Sequence, residues 1–481
     1  MDKSKIPMLD MIKNHHMQNP LSLHVPGHKS GSIFHPLTPP GLLEAMRWDM
    51  TEVTGLDDLH SAEEGIKEAE SMLSSFYQTD KSYLLVNGST VGNLAMILGA
   101  VHAGDTVLVQ RNCHKSVMNG LSLSRAKPIF IHPETDHQGT EIGLTTSVIK
   151  AYLQRYPEAK AVILTYPNYY GMGMELDGIV REAHSLNIPV LVDEAHGAHF
   201  AAGPPFPPSA LRKGADMVVH SAHKTLPAMT MGSYLHVQEG LVAVEQVERY
   251  VRMLQSSSPS YPIMLSLDLA RAYLEGYSEE DKGFLCEQIR TIKDYLSNHG
   301  ELAIYEATGA DWHDPLKLMI YHQHGLSGHE LQERLEAVGI YPELSNERFV
   351  LLVLPLLKEE HESYVKELTD RLGLINWEME GASPAGDDFC KGGIAPVIEH
   401  TELALSYEEM EKLGMKRMDL SLSIGKIAAE AIIPYPPGIP LIQRGERITD
   451  EMVAACLRLL RSGEKIQGGT YLKEGQIQVF V

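Results

Sequence analysis

Between residues 80 and 240 the chain alternates short apolar runs of β-forming residues with longer segments of helical periodicity, and this alternation limits the fold more than any other feature. The predicted strands are Ser82–Val86, Thr106–Gln110, Pro128–His132, Ala161–Thr165, Pro189–Val192, Met217–His220 and Ser233–Val237. Helical segments such as Val91–Val101, Thr146–Arg155 and Leu176–Leu186 separate them. Strand–helix–strand units of this length connect parallel neighbours by right-handed crossovers, so the strands are buried on both faces. The expected fold class is therefore α/β, with a mainly parallel seven-stranded sheet and ligands gathered beyond the carboxyl ends of the strands.

A chain of 481 residues exceeds what one hydrophobic core supports. The expected division is an N-terminal arm over 1–60, a large domain over 61–300 and a smaller α+β region over 301–481. The arm includes Leu23–Pro40, rich in Pro, Gly and His and without periodicity. Ser266–His299 reads as long helices, and Leu316–Leu374 alternates apolar runs with helical spacing. Gly381–Gly393 has loop composition, and the prolines of Pro434–Pro440 exclude regular helix there.

The stretch with most chemistry is Val218-Val219-His220-Ser221-Ala222-His223-Lys224-Thr225, where an apolar strand runs straight into small polar residues and a lysine. A lone lysine is ordinarily a solvated charge. Here a second apolar run ends in Asp193-Glu194-Ala195-His196-Gly197-Ala198-His199, which places both clusters at one sheet edge. A third, Leu84-Leu85-Val86, feeds Asn87-Gly88-Ser89-Thr90-Val91-Gly92-Asn93 at a predicted helix start. Free N–H groups, the positive end of the helix dipole and two hydroxyls make that loop a cradle for phosphate.

Pyridoxal 5'-phosphate (PLP) asks a protein for an amine, a carboxylate beside the pyridine nitrogen, an anion site and a flat group against the ring. Lys224, Asp193, the Ser89–Thr90 loop and His114, which follows the strand Thr106–Gln110, are the candidates. Asp193 would keep the ring nitrogen protonated, because a nearby anion favours the cationic form.

Charge narrows the partners. Lys and Arg total 41 against 63 Asp and Glu, a formal net charge of −22 that repels phosphate backbones and anionic membrane surfaces. No nucleic acid and no membrane partner is expected, and a small cationic substrate is compatible. The cysteines Cys113, Cys286, Cys390 and Cys456 form no CxxC pair, and no apolar run reaches the roughly 18 residues that span a bilayer. A cytoplasmic location is the expectation.

The motifs in order resemble the ornithine/lysine/arginine decarboxylase family of fold-type I PLP enzymes, in the short bacterial form. They are His24-Val25-Pro26-Gly27-His28-Lys29, Asp49-Met50-Thr51-Glu52 with Gly55-Leu56-Asp57-Asp58-Leu59, Val86-Asn87-Gly88-Ser89-Thr90 and Arg111-Asn112-Cys113-His114-Lys115-Ser116. Asp193-Glu194-Ala195-His196-Gly197, Ser221-Ala222-His223-Lys224-Thr225, Gln255-Ser256-Ser257-Ser258-Pro259-Ser260-Tyr261 and Pro434-Tyr435-Pro436-Pro437-Gly438-Ile439-Pro440 complete the series. The resemblance implies an aspartate-aminotransferase-like fold and α-decarboxylation of a basic amino acid, with arginine ahead of lysine and lysine ahead of ornithine. The product would be a polyamine or its precursor.

The resemblance further implies that Lys224 carries the cofactor as a Schiff base, that Asp193 partners the ring nitrogen and that His114 stacks on the ring. Ser89, Thr90, Ser221 and His223 would contact the phosphate or its surroundings, His223 also counting with Lys224, His114 and Asp193 among the catalytic residues, and His196 would lie near the ring hydroxyl. Ser257 and Ser258 belong to the segment that reaches a neighbouring subunit's site, so a homodimer or higher even oligomer with shared sites is implied. One departure stands out: Tyr166-Pro167-Asn168 occupies the place of the usual asparagine contact to the ring hydroxyl.

Rival readings differ in what they require. Asp193-Glu194-Ala195-His196 spells a helicase box, but the chain lacks the GxxxxGK[ST] loop that a helicase needs. Asp193, His196 and His199 have metal-ligand character without a second cluster to complete a site, and no metal is expected. An aminotransferase of the same fold uses the same cofactor residues, and Arg444 keeps that alternative open. His24 and His28 read equally as substrate contacts or loop caps, and Tyr435 reads as a structural anchor.

Overall fold

The computed structural model describes residues 5–298, 300–377, 400–435, 438–462 and 465–481. Gly381–Gly393, Cys390, Pro436 and Pro437 lie outside them, as does His299. All seven anticipated runs are strands, with ends shifted by a residue or so: Lys81–Leu85, Thr106–Gln110, Lys127–Ile131, Ala161–Thr165, Val190–Asp193, Met217–His220 and Ser233–Val237. The chain divides into two compact units, Met1–Ala100 with Leu191–Ser278 and Val101–Val190 with Glu279–Val481. Each unit draws on two separate stretches of sequence.

In the first unit the strand order is Lys81–Leu85, Ser233–Val237, Met217–His220, Val190–Asp193. The last two pair in parallel, whereas Ser233–Val237 is antiparallel to both its neighbours. The reason is local. Met217–His220 is followed only by the one-turn helix Ala222–Thr225, and the N–H of His223 bonds the carbonyl of Gly232. A parallel return is usually carried by a full crossover helix, and one helical turn does not supply it, so the chain doubles back. Two antiparallel steps leave Lys81–Leu85 running the same way as Met217–His220 and Val190–Asp193, and all three carboxyl ends open on one edge.

Helices seal this unit. Gly88–Ala100 follows the first strand so closely that a Cβ on Gly92 would stand 2.8 Å from Leu85 Cδ1 and 2.9 Å from Val219 Cγ1. Val244–Leu254 lays a buried stripe of Val244, Val247 and Val251 beside it. Pro7–Met17 and Tyr261–Glu275 are joined where Asp268 accepts from the N–H of Met8 at 3.0 Å and pairs with buried Arg271. The arm Leu23–Pro40 forms turns and bends up to a helix beginning at Pro40, and it leaves Leu23, Val25, Ile33, Phe34 and Leu37 exposed.

In the second unit Ala161–Thr165, Thr106–Gln110 and Lys127–Ile131 pair in parallel, and His400–Glu402 adds an antiparallel edge strand that the sequence pattern did not announce. The expected α+β region is an antiparallel sheet of Leu302–Tyr305, Lys317–His322, Val350–Val353 and Leu344–Ser345, with helices Gly328–Ala337 and Ser363–Leu372. The helical stretch predicted from Ser266 is two helices, Tyr261–Glu275 and Glu279–Asn298, broken at Gly276. The last segment has its own core of Leu420, Ile432, Ile442, Ile448, Val453 and Ile477 beneath the helix Asp450–Ser462.

Candidate active site

At the strand edge of the first unit the structure brings together Asp193, His196, Ser89, Ser221 and Lys224. Asp193 ends its strand 3 % exposed, with both carboxylate oxygens engaged: Asn93 Nδ2 donates to Oδ2 at 2.8 Å and the N–H of Ala195 donates to Oδ1 at 3.1 Å. Two donors hold this buried carboxylate in one place, the position that a partner of the ring nitrogen would require. Lys224 Nζ lies 2.9 Å from His196 Nε2 on the turn that follows the Asp193 strand. Residues 28 apart in sequence meet because the two parallel strands bearing them are neighbours.

Ser221 Oγ donates to Ser89 Oγ at 2.7 Å, linking the lysine-bearing turn to the first turn of Gly88–Ala100. Gly88 has φ +81°, the left-handed conformation that glycine adopts without strain, and the chain there turns sharply from strand into helix. The opening N–H groups of an α-helix have no partners within it, and Thr90 is exposed beside them. His223 donates a ring N–H to the Gly232 carbonyl at 3.0 Å, and burial, opposed by that bond, holds its pKa below the ordinary imidazole value. Ser257 and Ser258 are exposed, on a loop tied back by the bond from the N–H of Ser256 to Asn87 Oδ1.

The donor set fits PLP within this unit: a lysine amine, a fixed carboxylate and a helix start flanked by hydroxyls. Thr225, next to the lysine, adds a buried hydroxyl without a hydrogen-bond partner among the described residues. Among the described residues no group of three or more His, Cys, Asp or Glu side chains is placed to hold a metal ion.

His114 lies in the second unit, capping the helix Lys115–Ser124. Its Nδ1 accepts from the N–H of Ser116 at 3.2 Å and lies 2.8 Å from Ser116 Oγ. Gly438 of the proline-rich segment packs on the ring: a Cβ there would stand 3.0 Å from His114 Nε2, and its carbonyl accepts from the N–H of Lys115. Tyr435 of that segment is partly exposed beneath the Lys115 ammonium, 5.6 Å from its ring centre. Asn168 closes a local turn, accepting from the N–H groups of Tyr170 and Met172 and donating to the Glu141 carbonyl. Arg444 donates to the Met410 carbonyl at 3.4 Å and lies over Phe480. In the first unit, His24 bonds within the arm and to Thr51, and His28 pairs with Asp49.

Sequence reasoning passed over three participants. Asn93, which orients Asp193, lay inside the quoted glycine-rich loop one turn into the helix, and its amide was the available signal. Glu194 and His220, both wholly buried, sit beside chemistry-bearing residues but carry no motif of their own.

Comparison with known proteins bears on the whole chain. Residues 6–303 match the family model for the Orn/Lys/Arg decarboxylase major domain, and residues 397–469 match the C-terminal domain of the same family. The Bacillus subtilis protein YaaO is 44% identical over 99% of this chain and 98% of its own length. An arginine decarboxylase of Bacillus anthracis is 33% identical, covering 96% of this chain and 94% of that protein. The solved structure of the Escherichia coli constitutive lysine decarboxylase aligns with a TM-score of 0.78 at 20% identity, covering 100% of this chain and 82% of that one. At that identity the likeness speaks for the fold.

Proposed function

The chain belongs to the Orn/Lys/Arg decarboxylase family, PLP-dependent enzymes of fold type I, and from that premise we propose that it removes the α-carboxyl group of arginine, taking up one proton and releasing carbon dioxide and the amine. Lysine and then ornithine follow arginine in the expected preference. What supports arginine is the spread of relatives: those named arginine decarboxylase are 31% to 33% identical, against 23% to 25% for those named lysine decarboxylase. The observation that carries the reading is the meeting of Lys224, Asp193 and the Ser89–Ser221 pair on one strand edge.

When bound, PLP supplies a protonated pyridine ring that accepts the electron pair left on the α-carbon. Asp193, fixed by Asn93 and the N–H of Ala195, holds the ring proton in place. Lys224 holds the cofactor, with His196 within hydrogen-bond reach of its Nζ. Ser89, Thr90, Ser221 and the first N–H groups of Gly88–Ala100 bind the phosphate, and His223 fixes the lysine turn through Gly232. His114 is the residue that would supply the flat group against the ring. Ser257 and Ser258 serve a neighbouring protomer's site in a homodimer or higher even oligomer, a reading supported by the exposed apolar side chains of the Leu23–Pro40 arm.

The family match that ends at residue 303 supports the boundary near 300 between the large domain and the C-terminal region. Among the described residues no helix is long and apolar enough to cross a membrane, and a cytoplasmic role in polyamine supply is part of the proposal. The deciding experiment offers labelled arginine, lysine and ornithine separately and measures carbon dioxide beside keto-acid. Amine with carbon dioxide from arginine supports the proposal, and keto-acid would install the aminotransferase. Borohydride reduction should tag Lys224 in the wild-type chain and no lysine in Lys224→Ala.

A further inference from the structure

One buried polar row crosses the apolar sheet of the first unit. It runs through Ser82, His236, His220 and Glu194, at 4 %, 0 %, 0 % and 0 % exposure. Ser82 Oγ is 2.7 Å from His236 Nδ1, His236 Nε2 is 3.1 Å from His220 Nδ1, and His220 Nε2 is 2.6 Å from Glu194 Oε2. Thr79 Oγ1 closes one end at 2.8 Å from Ser82, and Ser209 Oγ and the N–H of Ala210 donate to Glu194 at the other, at 2.6 and 2.8 Å. The Tyr77 ring flanks both imidazoles, 4.4 Å from His236 and 5.1 Å from His220 between centres, and its hydroxyl donates to the Ala198 carbonyl.

Every link is matched in either proton order: a cationic His220 donating to Glu194 and His236, or neutral imidazoles with protons running from Ser82 toward Glu194. Burying such a row is costly, and apolar side chains of similar size would stabilise the sheet at least as well. In some proteins a buried polar row of this kind serves specificity of register. Its position says which register. Asp193 pairs with Val219 in the parallel ladder, so Glu194 and His220 stand opposite one another one step further along. Glu194 follows Asp193 directly, and His220 precedes Ser221 and stands four residues before Lys224.

We propose that Glu194 and His220 are a positioning pair: their bond sets the carboxylate of Asp193 relative to Ser221 and Lys224, and so sets the environment of the cofactor. This rests on the assignment of Lys224 and Asp193 above. Neither residue touches the reacting atoms; both act through their chain neighbours.

The test uses wild-type holoenzyme, Glu194→Gln, His220→Asn and the conservative Glu194→Asp, with His236→Phe as a control two links from the carboxylate. The readouts are the pH midpoint of the visible absorbance of bound cofactor, the kcat-against-KM split and the extent of borohydride tagging. Borohydride mapping of the wild-type chain judges the Lys224 assignment independently, since a tag on another lysine would refute that assignment alone. The expected result is a displaced absorbance midpoint in Glu194→Gln and His220→Asn, with kcat lower by roughly 10- to 100-fold and KM little changed, as for a small misplacement of catalytic groups. Glu194→Asp should restore part of both, and His236→Phe should lower stability while leaving the midpoint in place. If the glutamine and asparagine variants fail to fold, Glu194→Asp against His236→Phe decides by the same readouts. Folded variants that bind cofactor with wild-type midpoint and kcat would overturn the proposal and leave the row a packing feature.

Discussion

Replacing Glu446 by glutamine should destabilise the second unit by about 3 kcal/mol or more, the cost of leaving a buried charge without its partner. Arg111 and Glu446 are 8% and 2% exposed, and their contact is two-pronged, Nε to Oε1 at 3.0 Å and a terminal nitrogen to Oε2 at 2.9 Å. The remaining guanidinium nitrogen donates to the Pro440 carbonyl at 2.8 Å, and Glu446 Oε2 also accepts from the N–H of Gln443. Burial by itself favours loss of the arginine proton, but the Glu446 charge outweighs it and holds the pKa above the ordinary arginine value. Glutamine keeps the shape and one acceptor while removing the charge, and it turns an amide N–H toward a guanidinium that can only donate.

The paired control is Arg111→Met with Glu446→Leu, which removes both charges and replaces the volume. It should recover most or all of the loss. Urea unfolding followed by circular dichroism gives the stability difference, and limited proteolysis across 438–447 reports whether the segment against His114 has come loose. A Glu446→Gln variant within about 1 kcal/mol of wild type would put the pair in the range of surface salt bridges and refute the argument. A double variant as unstable as the single one would refute it equally.

Three further outcomes follow from the geometry. Asp193→Asn should retain cofactor yet lose most turnover in kcat, because a neutral amide does not hold a proton on the ring nitrogen; unchanged turnover removes Asp193 from the mechanism. Burial pushes the Glu70 carboxyl from 4.5 up to about 8, against the opposing N–H of Leu84. The folded chain then keeps a proton that the unfolded chain has lost, so this group's contribution to stability is full below the unfolded value and declines as pH rises through about 8. The slope is at most about 1.4 kcal/mol per pH unit, reduced because Glu70 lines a water-accessible cavity of about 430 Å³. Glu70→Gln should flatten that limb of the melting-temperature profile between about pH 5.5 and about pH 8.5, and parallel profiles for the two proteins would exclude it. Gly92→Ala gains roughly 1 kcal/mol of helix propensity, but its methyl meets Val219, a β-branched side chain fixed in the sheet, and overpacking of this kind costs about 1–3 kcal/mol. A lower melting temperature with weaker cofactor retention is expected, and a stabilised protein would show that the helix shifts freely.

Much of this was legible in the order of residues. Continuous apolar runs marked all seven strands because a strand buried on both faces needs no alternation, only length and punctuation by polar turns. The clusters at Asn87–Asn93, Asp193–His199 and Ser221–Thr225 announced themselves because each follows such a run directly, and parallel strands open their carboxyl ends on one edge. What no local pattern could report was pairing. Ser233–Val237 turned antiparallel where its connection holds only the one-turn helix Ala222–Thr225, and His400–Glu402 joined the edge of Lys127–Ile131 from nearly 270 residues away. Ser82 meets His236 across 154 positions, and Arg111 meets Glu446 across 335. A backbone's local preference is set by its near neighbours in sequence, so it can be read along the chain; the partner of a buried charge is set by which strands and segments pack together, and that choice exists only once the chain has folded.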